Sequence, residues 1–387
     1  MADVFKKNAD ILINSIIKLN KRKPVHLSIP DIYNKDIISI SNELKKNNVA
    51  IGKQTDKFKS GLKNVIGSKN ILLTSNGTVA LFAALISEEI NENDEVLVPT
   101  LNYIASANAV LSCKSTPHFI DSSLQDLSVD FEKLEKYLKK ITVVKKNITI
   151  NKFSKKRIRA LMITHVFGHS GNMHKAMKIC KKYNLALIED ASEALGTKYK
   201  NKHVGTFGDY GVISFNGNKI ITTGGGGALI VKKNTKFQKL KKIINNGKIY
   251  DRFDFLHSEV GLNFNLPNLN ASLGCSQLQR LKNKINNRRL LYKIYSKHNN
   301  AKFELINEPI NSKSNFWLQA LRLNNKKEKK FLLNYFHKNK IEARSIWKPN
   351  HLFSYLKKYP KMNLDNSIKL YNSVINIPSS IKLKDKL

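Results

Sequence analysis

"SFNGNKIITTGGGG", residues 214–227, decides the reading of this chain, because it sets one lysine, Lys219, between the apolar run Val212-Ile213-Ser214-Phe215 and four consecutive glycines. The run has the length and composition of a buried strand. A lysine a few residues beyond such a strand lies at the carboxyl edge of a sheet, where a desolvated amine is a free nucleophile able to form Schiff bases. The glycines give the backbone freedom and small size, so main chain can pass close to a flat ligand, although a glycine run equally marks a flexible turn.

Working outward, further strand-like runs occur at 95–98, 118–120, 160–166, 185–189 and 228–231, and amphipathic stretches at 78–90, 102–113, 131–138 and 173–184 lie between them. This alternation predicts an α/β fold with a mainly parallel sheet covered by helices on both faces, and it gathers chemistry at the strands' carboxyl ends. Phe5, Ala9, Leu12, Ile16 and Leu19 share one helical face, so residues 1–30 read as a helical arm that packs on something. After Pro267 the pattern changes to one long helix over 268–296 and then shorter mixed elements. The expected units are therefore 31–266, a large domain, and 267–387, a smaller C-terminal one. Residues 139–157 read as a basic surface hairpin or loop.

The 387 residues, 41% hydrophobic, suffice for roughly two to three domains with a substantial core. Lys and Arg number 67 against 29 Asp and Glu, a net charge of +38, which raises nucleic acid or a membrane surface as partners. Pairs such as Lys45-Lys46, Lys181-Lys182 and Lys357-Lys358 are scattered, without a basic tail or stripe, so the charge reads as solvated surface and no nucleic-acid partner is expected. Cys113, Cys180 and Cys275 are far apart and lack paired spacing, as befits reduced thiols in a cytosolic protein. No apolar stretch approaches the ~20 residues needed to span a bilayer, so a cytoplasmic location without membrane insertion is expected. His165, His169 and His174 straddle a strand end and the Gly168 turn, not one helical face, and no carboxylate joins them at a ligand spacing; no metal is expected.

Three further stretches complete a constellation around Lys219. "ALIEDASEALG" (186–196) delivers Asp190 at a strand end, where a buried carboxylate needs a cation such as a protonated pyridine nitrogen, or simply caps a helix. "TSNGTVALFAAL" (74–85) sets Gly77 and Thr78 at a helix start whose unpaired N–H groups can hold a phosphate, and Ser214 can add a contact. "PTLNYIASANAV" (99–110) offers Tyr103, whose ring can stack on a flat cofactor or merely pack. Schiff-base lysine, pyridine-nitrogen carboxylate, phosphate cradle and stacking ring are together the set that pyridoxal 5'-phosphate requires.

With "EDASEALG" (189–196), "VGTFGDYGVISF" (204–215) and "HSEVGLNFNLPNLNASLG" (257–274) added, the chain resembles the DegT/DnrJ/EryC1/StrS family of nucleotide-sugar aminotransferases over 25–377. "INKFSKKRIRALMITHVFGH" (150–169) is similar to the branch that makes UDP-4-amino-4,6-dideoxy-N-acetylglucosamine in legionaminic-type pathways. The resemblance implies the type I aspartate-aminotransferase fold, with a mainly parallel seven-stranded sheet and a smaller C-terminal α+β domain. It implies that Lys219 bonds covalently to the cofactor, Asp190 faces its ring nitrogen and Tyr103 stacks on the ring. Glu193 would lie near the phenolic oxygen, and Gly77, Thr78 and Ser214 would hold the phosphate. Asn265 would reach the phosphate of a second subunit, making a homodimer with shared active sites. His351, in "IWKPNHLFSY" (346–355), would lie near the sugar nucleotide.

The implied reaction carries an amino group from glutamate to a nucleotide-linked keto-sugar, for bacterial surface polysaccharide. A related dehydratase subgroup has histidine where Lys219 stands, so lysine favours transamination. Leu262 and Asn265 replace a Tyr and an Arg expected in the branch. Two alternatives stay open: a GDP- or dTDP-linked 3- or 4-keto-sugar as substrate, and a non-catalytic regulatory or nucleic-acid-binding protein of the same fold.

Overall fold

The computed structural model describes residues 2–20 and 23–380; the outermost residues of the expected terminal units lie outside these. The central sheet has nine strands. Its main path uses β1 (Ile71–Thr74), β2 (Asp94–Pro99), β3 (Thr116–Ile120), β4 (Arg157–Thr164), β5 (Ala186–Asp190), β6 (Tyr210–Ser214) and β7 (Gly227–Val231), in the spatial order β1-β7-β6-β5-β4-β2-β3. Along this path only β7 runs against the others. The hairpin Thr142–Lys145 and Ile148–Asn151 adds the remaining two strands beside β4, where the sequence predicted a surface hairpin or loop.

Strand alternation feeds two cores, one on each face. Leu97, Leu161 and Ile213 point into one, with Leu134, Leu138, Ile179 and Cys180 from the helices Phe131–Ile141 and Met173–Lys182. Val96, Val98, Met162 and Val212 point into the other, with Ala80, Ala84, Ala109 and Val110 from the helices Gly77–Ser87 and Ala105–Ser112. Burial on both faces explains why these strands read as unbroken apolar runs. Each large side chain so buried contributes about 1.5–3 kcal/mol.

The second body is a four-stranded sheet in the order Phe303–Leu305, Gln319–Leu323, Val374–Ile377, Arg344–Ser345, all antiparallel. The first helix, Ala2–Asn20, packs here. Phe5, Ala9, Leu12, Ile13 and Ile16 join Leu291, Tyr295, Leu321, Leu332, Phe336 and Ile375 in a third core. The arm's partner is thus the chain's other end.

Two expectations need correction. The helix predicted over 268–296 is two, Asn268–Leu278 and Leu281–Ser296, because Arg280 leaves helical geometry at φ −103°, ψ 3°. Its guanidinium turns to Asp36, at 2.6 Å, and lies 4.7 Å from the centre of the Tyr33 ring. Lys284 Nζ bonds back across the break to Gln277 Oε1 at 2.6 Å. No glycine or proline marks the break, so periodicity ran straight through it. The strand β1 also escaped the reading, since its four residues sit against the polar TSNGT stretch.

Candidate active site

Strand register assembles the site. Thr74 and Ser214 both pair with Gly227, while Val212 and Thr164 both pair with Asp190. The ends of β1, β4, β5 and β6 therefore share one edge, and the segment after β2 joins them through the hydrogen bond from Ser106 to Asp190. Asn76 starts the helix Gly77–Ser87, its Oδ1 accepting the N–H of Val79 at 2.8 Å. The N–H groups of Gly77 and Thr78 have no acceptor within the helix. Of the glycine run, Gly227 has the most definite role. A Cβ there would lie 2.6 Å from the carbonyl carbon of Asn76, so its small size lets β7 lie flush against the helix start.

Lys219 follows a short turn in which its N–H donates to the Asn216 carbonyl at 3.0 Å. Its amine lies 3.3 Å from Glu193 Oε1 and 4.0 Å from the centre of the Trp317 ring, with the side chain 13% exposed. Glu193 is buried, and its other oxygen accepts the Phe167 N–H at 2.8 Å. Burial pushes its carboxyl above the ordinary range, while the Lys219 ammonium and the Phe167 N–H pull part of that back. Phe167 holds this N–H in place with a left-handed backbone, φ 54°, a conformation that costs about 1–3 kcal/mol in a residue with a side chain.

Asp190 is 6% exposed. Its Oδ2 accepts from the Ser106 hydroxyl at 3.1 Å and its Oδ1 from the Ser192 N–H at 3.2 Å, while Asn102 donates to Ser106 at 2.7 Å. A carboxylate has about four acceptor positions, so it retains room for one more donor.

The other residues singled out in the sequence are placed as follows. A Cβ on Gly77 would sit 3.1 Å from Ser214 Cβ and 3.2 Å from Ser192 Oγ, so these residues are neighbours. Thr78 is exposed, and the Tyr103 ring is 60% exposed. Asn265 is exposed on a strap bridged to Thr74, and its side chain donates to Asn245 Oδ1 at 2.8 Å. His351 stands behind the loop after β2, with Nδ1 2.7 Å from the Thr100 hydroxyl; burial and Lys361 hold it below its ordinary pKa. The structure brings Lys219 and Glu193 into contact and sets Gly77 beside Ser214. It does not bring Tyr103, Asn265 or His351 into contact with Lys219.

Sequence reasoning missed Trp317 and Asn315, which reach the site from a segment without a motif, and passed over Ser106 and Phe167 inside the stretches 99–110 and 150–169. It also missed the cations around a cavity of about 110 Å³ bordered by Lys219 and Ile220. Arg280, Lys284 and Arg288 line it, burial pushes Lys284 down to about 8 and Arg288 down to about 10, and Arg288 Nη1 has no hydrogen-bond partner. His165 and His169 are structural: His165 Nε2 lies 3.0 Å from the buried Glu189, and His169 Nδ1 lies 2.9 Å from the Ser314 hydroxyl. Among the described residues no group of three or more His, Cys, Asp or Glu side chains could hold a metal ion.

A buried carboxylate with spare acceptor capacity, a partly buried primary amine and a helix start with free N–H groups suit a phosphorylated aldehyde with a basic ring. Residues 30–386 match the DegT/DnrJ/EryC1/StrS aminotransferase family. The chain belongs to it. This aminotransferase is 34% identical over 313 residues to the GDP-perosamine synthase of Escherichia coli O157:H7, covering 81% of each chain. It is 30% identical over 359 residues to the UDP-4-amino-4,6-dideoxy-N-acetyl-beta-L-altrosamine transaminase of Campylobacter jejuni serotype O:23/36, covering 90% of this chain and 91% of that one. Among solved structures, the Helicobacter pylori PseC aminotransferase, involved in the biosynthesis of pseudoaminic acid, superposes with a TM-score of 0.83 at 25% identity, covering 94% and 96%. The enzyme is a sugar aminotransferase that uses pyridoxal phosphate, on the type I fold expected from the sequence. No described helix is long and apolar enough to cross a membrane.

Proposed function

We propose that this aminotransferase moves the amino group of glutamate to C4 of a UDP-linked 4-keto-6-deoxy-N-acetylhexosamine, supplying an amino sugar of the legionaminic type to a bacterial surface glycan such as lipopolysaccharide O-antigen. The observation that carries the reading is the Lys219 amine, 3.3 Å from Glu193 at the edge that also presents Asp190. The resemblance of 150–169 and the relative named for a UDP-linked amino sugar support the nucleotide.

Pyridoxal phosphate, when bound, supplies an aldehyde that carries the amino group and a ring that withdraws electrons. In this reading Lys219 is its attachment point, takes the proton from the donor's α carbon and returns one to the sugar carbon. Asp190 holds the proton of the ring nitrogen, Glu193 lies beside the phenolic oxygen, and Tyr103 covers the ring. Gly77, Thr78 and Ser214 bind the phosphate, with Asn265 from a second copy, so the working form is a cytoplasmic homodimer. His351 faces the nucleotide-linked sugar. The 31–266 body carries the cofactor, and 1–30 and 267–387 frame it.

A second reading, a GDP-linked 4-keto-6-deoxy sugar, is favoured by the 34% identity to a GDP-perosamine synthase. The experiment is to give the enzyme ¹⁵N-glutamate with a panel of UDP-, GDP- and dTDP-linked keto-sugars and identify products by NMR. Nitrogen at C4 of the UDP-linked hexosamine is the expected result. Amination of the GDP-linked sugar alone would replace the first reading with the second, and amination of none would overturn both.

A further inference from the structure

Trp317 lies in the connector that enters the strand Gln319–Leu323, about a hundred residues from the lysine it touches. It is 4% exposed. Its indole N–H donates to the Asn218 carbonyl at 2.7 Å, one residue before Lys219, and its ring centre is 4.0 Å from the Lys219 amine. The Ser28 hydroxyl donates to the same carbonyl at 3.1 Å. Trp317 is itself held, since its backbone N–H donates to Asn315 Oδ1 at 2.8 Å. The Asn315 amide nitrogen donates in turn to the carbonyls of Glu193 and Leu195, at 2.9 and 3.0 Å. Leu318 N–H reaches the carbonyl of Phe167, whose own N–H sits on Glu193. One short connector therefore fixes the loop that bears Lys219, the loop that bears Glu193 and the turn that orients the Glu193 carboxylate.

An amine that shuttles protons must return to one place each time it is released. A carboxylate alone would hold an ammonium tightly, whereas an aromatic face attracts it less strongly and keeps water away. We propose that Trp317 is a positioning residue for Lys219: its N–H anchors the lysine loop, and its ring and Glu193 together form the seat of the free amine. This rests on the reading of Lys219 given above.

The test compares Trp317→Phe, which keeps a ring and loses the N–H, with Trp317→Leu, which loses both. Three quantities are read. The first is reductive methylation of Lys219 in the cofactor-free protein, by peptide mass spectrometry. The second is the rate at which added pyridoxal phosphate is captured, by absorbance with borohydride trapping. The third is kcat and KM for glutamate.

For Trp317→Leu, kcat is expected to fall roughly 10- to 100-fold, the scale of an ångström-sized misplacement, with KM for glutamate within about threefold. Lys219 in the cofactor-free variant should be methylated several times faster. Trp317→Phe should lie between wild type and Trp317→Leu in all three. A folded Trp317→Leu protein with wild-type labelling and kcat overturns the proposal. Should that variant fail to fold, Trp317→Phe decides: slowed capture and faster labelling uphold the proposal, and wild-type values overturn it. If wild-type Lys219 captures no pyridoxal phosphate at all, the assignment of Lys219 fails and this inference with it; if capture is normal and both variants match wild type, only the role of Trp317 falls.

Discussion

Two flanks of the same sheet edge are built in opposite ways. On one, Asp190, Glu193 and Trp317 are each more than nine-tenths buried; Glu193 bonds to the Lys219 amine, Trp317 to the carbonyl of Asn218, and Asp190 to Ser106. On the other, Thr78, Tyr103 and Asn265 stand exposed, and Asn265 is tethered only by a strap and one amide contact. The first flank is finished within a single chain. The second holds its groups out to whatever completes it, which in the proposed enzyme is the cofactor's phosphate and ring together with a second copy of the chain.

The contrast predicts a descending series of effects. Lys219→Ala should remove the visible chromophore and lower amino transfer by roughly 10³-fold or more, the range for losing a general acid–base and attachment point together; turnover above about 1% of wild type would dismantle the first flank as the chemical one. Asp190→Asn preserves shape but removes the charge and one of the two acceptors used by Ser106 and the Ser192 N–H, and should cost about 10²- to 10³-fold in kcat. A loss confined to KM would mean that Asp190 only shapes the pocket.

Glu193 sharpens the comparison through pH. Burial raises its carboxyl above the ordinary 4.5 in the folded chain, so folding favours the protonated form. That contribution is complete below 4.5 and is lost as pH rises through the folded value. Glu193→Gln, which stays neutral, should flatten the decline of melting temperature with pH above 4.5. An unchanged profile would show that the Lys219 ammonium fully offsets burial.

The smallest effect belongs to the exposed flank. Asn265→Ala removes one hydrogen bond and should weaken cofactor retention about 2- to 10-fold, leaving kcat at saturating cofactor nearly unchanged. Because the proposed contact crosses between copies, the defect should shrink as the protein is diluted into monomers, where wild type loses the contact too, and equilibrium dialysis over a dilution series would show it. A defect independent of dilution would place Asn265 in its own subunit's site.

How much of this could be read without coordinates follows from distance along the chain. Lys219, Asp190 and Ser214 could be placed at the sheet edge because each ends or closely follows a buried apolar run, and Gly77 because it precedes an apolar helix; strand register then brings those ends together. The layered sheet was legible for the same reason. Trp317 and Asn315 were not, because their meaning lies in contacts about a hundred residues away, and "NFWLQ" alone is merely the start of an apolar strand. Arg280 shows the complementary failure: it ends a helix through Asp36 and Tyr33, far upstream, while its neighbours keep helical periodicity. The glycine run was expected to let main chain pass close to a flat ligand; within it, Gly227 lets β7 lie close against the enzyme's own helix start.

The helix Ala2–Asn20 takes its cover from residues far along the chain, Leu321 and Ile375 among them. During synthesis the apolar stripe from Phe5 to Ile16 therefore waits without its native cover until those strands have emerged.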